Sequence, residues 1–213
     1  MSEYGLKRDH SRPIIFIDFD GTICHDRYWR SLPCDKQNKL QTYLFQENRH
    51  IVSNWMLGFH TAEEINGLVA TILDMPYDKV WDVFVEDCQS MRVSPATLAR
   101  LSRLRPIANI ILVTGNMDSF SRFTVPALGL DRHFDAISNS YNEGRLKTDD
   151  GGTLFLQYAA QFSASIQDCV IIDDSEEVCS IFAGLGGTSL CVTAEHEADA
   201  ILDALLLSLA KAD

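Results

Sequence analysis

The sequence has no hydrophobic run long enough to form a membrane helix and no apolar stretch near its start. A helix that crosses a membrane needs roughly 20 consecutive apolar residues, and no segment approaches that length. The first thirteen residues, MSEYGLKRDHSRP, are polar, whereas a signal peptide requires an apolar core. We therefore expect neither a membrane span nor a secretion signal.

Basic residues are scarce relative to acidic ones. The chain has 18 Lys and Arg residues against 30 Asp and Glu residues, which gives a formal net charge of -12. A surface of this charge repels nucleic-acid backbones and anionic membranes, so we expect neither as a partner. A small anionic ligand remains compatible with the sequence, because local donors or a metal ion can bind it.

Cysteine pairs with the C-x-x-C spacing of many metal and redox sites are absent from the sequence. The six cysteines are Cys24, Cys34, Cys88, Cys169, Cys179 and Cys191. Most of them lie within apolar stretches, which favours buried, reduced thiols over a disulfide framework or a zinc site. Because reduced thiols are typical of the cytoplasm, we predict a cytoplasmic location.

Short, continuous apolar runs alternate with helical patterns along the chain. The runs predict a first strand that starts at residue 14 and four more at residues 109–114, 135–138, 169–173 and 188–192. The helical patterns cover residues 95–104, 153–162, 176–183 and 194–212. Continuous apolar strands are typical of a parallel sheet covered on both faces. The pattern predicts a doubly wound (Rossmann-like) α/β fold.

Residues 24–94 interrupt this alternation, because they contain helical patterns without a clear strand. Thr61 and Glu64 have the spacing of a capping box and predict the start of a helix. Residues 78–91 repeat the helical pattern, and residues 39–57 are compatible with one or two further helices. We predict an α/β core of residues 1–23 and 95–213, with residues 24–94 inserted as an all-helical cap.

Polar side chains follow the predicted strands at the ends where the chain leaves the sheet. Asp18-Phe19-Asp20-Gly21-Thr22 follows the first strand, Thr114-Gly115-Asn116 the second, and Asp173-Asp174-Ser175 the fourth, while Lys147 lies in the loop after the third. A turn explains Asp18, Asp20 and Gly21 taken alone. It does not explain why all four strands deliver such groups to the edge where parallel sheets bind ligands.

Phosphoryl transfer requires this set of groups. Carboxylates crowded together need a cation, and their hard oxygens select Mg²⁺. One carboxylate can then attack phosphorus, and a second can protonate the leaving oxygen and later activate water. A hydroxyl and an ammonium group would hold the transferring oxygens.

The chain resembles the haloacid dehalogenase (HAD) superfamily in four motifs that occur in order: IIFIDFDGT, ILVTG, Lys147 and VIIDDS. The place of the helical insertion is similar to that of the superfamily's class I cap. The resemblance implies Asp18 as the nucleophile that forms an aspartyl phosphate and Asp20 as general acid and base. It implies Thr114, with Gly115 beside it, and Lys147 as phosphate ligands.

The resemblance also implies Mg²⁺ bound by the Asp18 carboxylate, the Asp20 backbone carbonyl and an acid of the fourth motif. Comparison with the family's Gly-Asp version of this motif favours Asp174 as the direct ligand and Asp173 as its support. The loop after Lys147 lacks the proline that family members often have, so Arg145 is an alternative phosphate ligand. We expect Gly21 to allow a tight turn and Thr22 to hold Asp20 by a hydrogen bond.

Asp20 favours a phosphatase acting on a small phosphorylated metabolite, because halide displacement needs no proton donor and the dehalogenases lack this second aspartate. A phosphomutase, a phosphonatase or a non-catalytic regulator that binds a phosphorylated metabolite are the alternatives. Arg27 and Tyr28 are candidates for substrate contacts, although an aromatic residue here fits the cap core equally well. Asn116 either reaches the substrate or caps the next helix. The sequence carries no signal for an oligomeric state.

Overall fold

The computed structural model describes residues 12–209, which form a five-stranded parallel sheet with helices on both faces. The strands are β1 (Ile14–Ile17), β2 (Asn109–Thr114), β3 (Ala136–Asn139), β4 (Val170–Asp173) and β5 (Thr188–Cys191). Their order in the sheet is β3-β2-β1-β4-β5. β1 therefore lies at the centre, paired in parallel with both β2 and β4. The predicted doubly wound α/β fold is confirmed.

Five α-helices lie between β1 and β2 along the chain, and the first four are those of the insertion: α1 (Cys34–Thr42), α2 (Arg49–Met56), α3 (Ala62–Leu73) and α4 (Tyr77–Gln89). A π-helical segment, Tyr43–Glu47, joins α1 to α2. The helices that accompany the sheet are α5 (Pro95–Leu104), α6 (Val125–Leu128), α7 (Ser140–Glu143), α8 (Thr153–Gln161), α9 (Glu176–Gly184) and α10 (Ala198–Leu209).

The two faces of the sheet bury separate hydrophobic clusters, because successive residues of a strand point to opposite sides. Ile15 and Ile17 of β1 belong to the cluster that contains buried residues of α5 and α10. Ile14 and Phe16 belong to the cluster on the other face, which contains buried residues of α8 and α9. This arrangement explains why β1 is apolar at every position, as expected of a strand with two covered faces.

The helical segment, residues 24–94, contains α1 to α4 and has a third hydrophobic cluster that includes Trp29, Trp55 and Phe84. The predicted capping box is confirmed: Thr61 Oγ1 accepts from the amide of Glu64 at 3.3 Å, and Glu64 Oε2 accepts from the amide of Thr61 at 2.9 Å. Its own core identifies this segment as a helical insertion, while the division into core and cap domains stays a prediction. Within residues 12–209, no helix combines the length and apolar character that crossing a membrane requires.

Buried Asp118, in the loop after β2, attaches the helical segment to the sheet. Its carboxylate accepts a hydrogen bond from Trp55 Nε1 at 2.7 Å and another from the amide of Ala62, the first residue of α3, at 3.1 Å. Arg122 donates to the same carboxylate at 2.8 Å and also to Glu63. Buried charges are stable only when paired in this way. The loop after β2 is therefore held against the insertion.

Two sequence predictions that concern the fold need correction. The last helix begins at Ala198 rather than at residue 194, because Thr193 Oγ1 accepts from the amides of Glu195 and His196 and holds a turn there. Its predicted end at residue 212, like the polar start of the chain, lies outside the described residues.

Cys179 and Cys191 form a disulfide, so the expectation of reduced thiols is wrong for this pair. The other four cysteines are free, and the cytoplasmic location stays a prediction.

Candidate active site

The ends of β1 and β4 bring three carboxylates together. Asp18 follows β1, Asp173 is the last residue of β4 and Asp174 comes next. One oxygen from each carboxylate lies within 4.8 Å of one from each of the others. Asp18 and Asp173 are buried and Asp174 is exposed, so the cluster opens to solvent on the side of Asp174. Their proximity follows directly from the parallel pairing of β1 with β4.

Lys147 lies between the two buried carboxylates. Its Nζ atom is 2.8 Å from Asp18 Oδ1 and 2.6 Å from Asp173 Oδ2. Burial alone would lower the pKa of Lys147, but the Asp18 and Asp173 carboxylates outweigh burial and raise it. The ammonium group therefore stays charged at this position. Arg145, the alternative from the sequence, is half-buried and donates to Gln157 instead.

The loop after α7 is folded so that Lys147 points back to the sheet. Asp149 Oδ2 accepts a hydrogen bond from the amide of Leu146 at 2.8 Å. A left-handed residue, Asp150 with φ 51°, and two glycines then lead into α8. The loop has no proline, so this hydrogen bond and the left-handed residues form the turn.

Asp20 has a hydrogen-bond partner of its own in Asn116. The Asn116 Nδ2 group donates to Asp20 Oδ2 at 2.7 Å, and Arg27 Nη1 lies 3.9 Å from Asp20 Oδ1. Burial, followed by the nearby Asp18 carboxylate, raises the pKa of Asp20 to about 7. A carboxyl group with this pKa can hold a proton near neutral pH and can also release it.

Two threonine hydroxyls of the site are buried without a hydrogen-bond partner among residues 12–209. Thr114 ends β2, and an unpartnered buried hydroxyl at a strand end is suited to an oxygen-rich ligand. Thr22 Oγ1 does not make the hydrogen bond to Asp20 that the sequence led us to expect. Asn116 holds Asp20 instead, which corrects that expectation.

Gly21 is required by both its backbone and its surroundings. Its φ angle is +82°, a conformation that L side chains rarely adopt. A Cβ atom at this position would lie 2.2 Å from Asp174 Oδ2. The glycine thus allows the first turn after β1 to pass directly against the Asp174 carboxylate.

A cavity of about 300 Å³ lies beside Asp20, between the sheet and the helical segment. Its lining includes Arg27, Tyr28, Gln41, Phe45 and Met117. The Arg27 side chain is 64% exposed, which leaves it free to contact a ligand. The cavity is large enough for a small organic molecule rather than a folded protein segment.

Sequence reasoning missed Gln41, Phe45 and Met117 as lining residues of this cavity. Met117 could have been predicted, because it follows Thr114 by three positions in the loop that leaves the sheet. Gln41 in α1 and Phe45 in the π-helical segment are distant in sequence from every motif. Only the packing of the helical segment on the sheet brings them to Asp20.

The profile of a family described as haloacid dehalogenase-like hydrolase matches residues 13–186, which include every acid and the lysine of the site. The chain belongs to this family. As a HAD-like hydrolase, it has its acid pair after β1, its hydroxyl after β2 and its second acid pair after β4 in the order of the family motifs. No curated protein matches the sequence.

Solved structures support the HAD-like fold. A HAD family enzyme from Bacteroides thetaiotaomicron has a TM-score of 0.68 and 16% identity, over 86% of this chain and 95% of that chain. A predicted HAD-like family hydrolase from Porphyromonas gingivalis has a TM-score of 0.66 and 17% identity, over 92% of this chain and 98% of that chain. L-2-haloacid dehalogenase from Xanthobacter autotrophicus has a TM-score of 0.61 and 11% identity, over 91% of this chain and 88% of that chain. At these identities the likeness establishes the fold and leaves the reaction to the site itself.

Proposed function

We propose that this HAD-like hydrolase is a Mg²⁺-dependent phosphatase that hydrolyses a small-molecule phosphomonoester. The observation that carries the proposal is the separation of two carboxyl groups into different environments. Asp18 lies against the Lys147 ammonium, whereas Asp20 lies against the neutral Asn116 amide and beside the cavity. Two acids whose environments differ in this way are suited to different roles in one reaction.

In the first step, a carboxylate oxygen of Asp18 attacks phosphorus and the bond from phosphorus to the ester oxygen breaks. Asp20 gives its proton to that oxygen, so the product leaves as a neutral alcohol. In the second step, Asp20 takes a proton from water, and the resulting hydroxide attacks the phosphorus of the aspartyl phosphate. The bond to Asp18 breaks, which releases inorganic phosphate and restores both side chains.

Thr114 and Lys147 would bind the non-reacting oxygens of the phosphate group. The Thr114 hydroxyl is buried and unpartnered within the described part of the chain, so it has a free hydrogen to donate. Lys147 holds a positive charge next to Asp18. Donors fixed beforehand stabilise the charge of the transition state without reorganisation.

The three-carboxylate cluster fits Mg²⁺, which prefers oxygen ligands and one or two carboxylates. We propose that Asp18, the Asp20 backbone carbonyl and Asp174 hold the ion, with Asp173 in support. Asp173 is already engaged by Lys147 and by the amide of Ser175, whereas the Asp174 carboxylate is exposed. When bound, the ion would offset the negative charge of the acids and of the phosphate. The Bacteroides thetaiotaomicron enzyme has been solved as a complex with magnesium and inorganic phosphate.

Replacing Gly21 with alanine tests the role of Asp174. The added Cβ would displace the Asp174 carboxylate, so we expect Gly21→Ala to weaken Mg²⁺ binding roughly 10-fold, within the range seen when groups supporting metal ligands are lost. Gly144→Ala is the matched control, because Gly144 also has a positive φ of +65° but open space around its Cβ position. Equal Mg²⁺ affinities in the two variants, measured by titration calorimetry, would argue against Asp174 as a ligand.

The proposed function is tested with purified protein and a panel of sugar, alkyl and aryl phosphates. We expect phosphate release that requires Mg²⁺, stops when a chelator is added and returns when Mg²⁺ is restored. Halide release from 2-haloacids without phosphate release would identify a dehalogenase. Transfer of the phosphoryl group within one substrate would identify a phosphomutase, and cleavage of a carbon–phosphorus bond a phosphonatase. Binding of a phosphate analogue without any turnover would support a regulator.

A further inference from the structure

Three side chains form a continuous hydrogen-bonded chain from the helical segment to Asp20. The hydroxyl of Tyr28 donates to Asn116 Oδ1 at 2.5 Å, and Asn116 Nδ2 donates to Asp20 Oδ2 at 2.7 Å. Asn116 is fully buried, so water does not compete for its amide. The resemblance to HAD enzymes implies a role for Asp20 but assigns none to Tyr28 or to these two hydrogen bonds.

The orientation of the Asn116 amide is fixed by its neighbours. The amide of Met117 donates to Asn116 Oδ1 at 3.0 Å, and a backbone N–H can only donate. The oxygen of Asn116 must therefore face Met117 and Tyr28, which places its NH₂ group against Asp20. Loss of the Tyr28 hydroxyl would remove one of the two donors that hold this orientation.

The amide in turn determines which oxygen of Asp20 is free. Because Asp20 Oδ2 accepts from Asn116, Oδ1 is the oxygen left to carry a proton to the substrate. Arg27 lies on the Oδ1 side, at 3.9 Å, and both residues line the cavity beside Asp20. The amide thus leaves Oδ1, on the side of Arg27, as the oxygen that can carry the proton.

We propose that Tyr28 is a positioning residue that holds Asp20, through Asn116, in the orientation for proton transfer to the leaving oxygen. This inference rests on the proposed phosphatase function. As the bond from phosphorus to the ester oxygen breaks, the proton moves from Asp20 Oδ1 to that oxygen. Tyr28 and Asn116 exchange no proton with the substrate and act only by fixing the carboxyl group.

The aromatic core of the helical segment fixes Tyr28 in its turn. The Tyr28 ring packs against Phe84 and Trp55, with centroid distances of 5.5 Å and 6.3 Å. The third neighbour, Trp29, is 6.2 Å away and donates through Nε1 to buried Asn66 of α3. The orientation of the general acid therefore depends on the insertion being seated on the sheet.

Tyr28→Phe tests this inference by removing the hydroxyl and keeping the ring. A general acid matters most when the leaving group is a poor one, since proton donation typically contributes 10²- to 10⁴-fold. An alkyl phosphate has a poor leaving group, so we expect its kcat to fall roughly 10-fold, which is part of the full contribution of the general acid. The leaving group of p-nitrophenyl phosphate is a good one, so its kcat should change by less than about 2-fold. A purely structural role for Tyr28 would lower both rates equally.

Tyr43→Phe is the matched control, because Tyr43 packs against the same hydrophobic cluster and its hydroxyl has no hydrogen-bond partner within residues 12–209. We expect this variant to keep both rates. A second comparison introduces Tyr28→Phe into an Asp20→Asn background, where its selective effect should vanish because the group it positions is absent.

The possible results separate the two proposals. If the wild-type protein hydrolyses both esters but Tyr28→Phe leaves their ratio unchanged, the positioning role is overturned and the phosphatase function stands. A selective effect that persists in the Asp20→Asn background also overturns it, because Tyr28 would then act on another group. If the wild-type protein hydrolyses no phosphomonoester, both proposals fail.

Discussion

Asp18→Asn is expected to abolish phosphate release while leaving the chain folded. The amide has the shape of the carboxylate but is not a nucleophile toward phosphorus, so the aspartyl phosphate cannot form. We expect kcat to fall more than about 10⁴-fold, the order of loss seen when a catalytic nucleophile is removed. Phosphate release from the best substrate of the panel, with Mg²⁺ present, measures the effect.

The fold should survive this substitution because Lys147 retains a partner. Its Nζ atom lies 2.6 Å from Asp173 Oδ2, so the buried ammonium group stays paired when Asp18 loses its charge. Asp82→Asn is the matched control: Asp82 is exposed on α4, far along the chain from every site motif, and we expect full activity. Turnover that persists in Asp18→Asn at the level of this control would disprove the nucleophilic role.

The sheet and the edge at which its acids lie were predictable, because strand periodicity is local and parallel strands end at the same edge. Continuous apolar runs predicted β1 to β5 and a parallel sheet, whose strands end at the same edge. Asp18 and Asp173 stand at that edge, whereas the pairing of β1 with β4 that brings them together was not predicted. The loop before α8 was harder to predict, since the left-handed conformation of Asp150 has no clear sequence signal.

The partners of Asp20 were not predictable in the same way. Thr22 is close to Asp20 in sequence and was expected to hold it, yet its hydroxyl makes no hydrogen bond within the described residues. Asn116 makes the contact from a position 96 residues away, and its amide is fixed by Tyr28 from 88 residues away. These contacts depend on how the helical insertion packs on the loop after β2, which periodicity does not encode.

The cysteine pair illustrates the same distinction. Cys179 lies in α9 and Cys191 ends β5, so only the packing of α9 beside β5 brings the two sulfurs together. Their spacing of 12 residues matches no metal or redox motif. The apolar surroundings predicted the burial of Cys179 correctly, whereas Cys191 is half-buried and the pairing was not predicted.

Lys147→Met is expected to destabilise the protein more than any other single change at the site. Removing the ammonium group leaves the carboxylates of Asp18 and Asp173 buried and facing one another without a cation. Breaking a buried ion pair in this way typically costs about 3 to 5 kcal/mol. We expect the free energy of unfolding in Mg²⁺-free buffer to fall by about 4 kcal/mol, measured by chemical denaturation.

The loss should depend on pH in a direction that the carboxylates determine. Burial and the neighbouring Asp18 raise the pKa of Asp173 to about 6, and Lys147 opposes that rise. Without Lys147 the pKa of Asp173 should rise further, so at pH 5 the group is protonated in the folded variant and little uncompensated charge is buried. At pH 8 the Asp173 carboxyl is charged in the unfolded chain, and burying that charge without Lys147 is unfavourable, so the difference in stability between wild type and variant should be larger there than at pH 5.

Mg²⁺ provides the decisive comparison for the same variant. If the ion binds among Asp18, Asp173 and Asp174, it replaces part of the missing positive charge and should raise the stability of Lys147→Met more than that of the wild type.

Lys79→Met is the matched control, because Lys79 is exposed on α4 and its loss should change stability by less than about 0.5 kcal/mol. A Lys147→Met variant as stable as this control at pH 8 would mean that the ammonium group does not compensate the buried acids. Stability lost but not restored by Mg²⁺ would instead place the ion outside the three-carboxylate cluster, and the metal part of the proposed mechanism would fail while the ion pair stood.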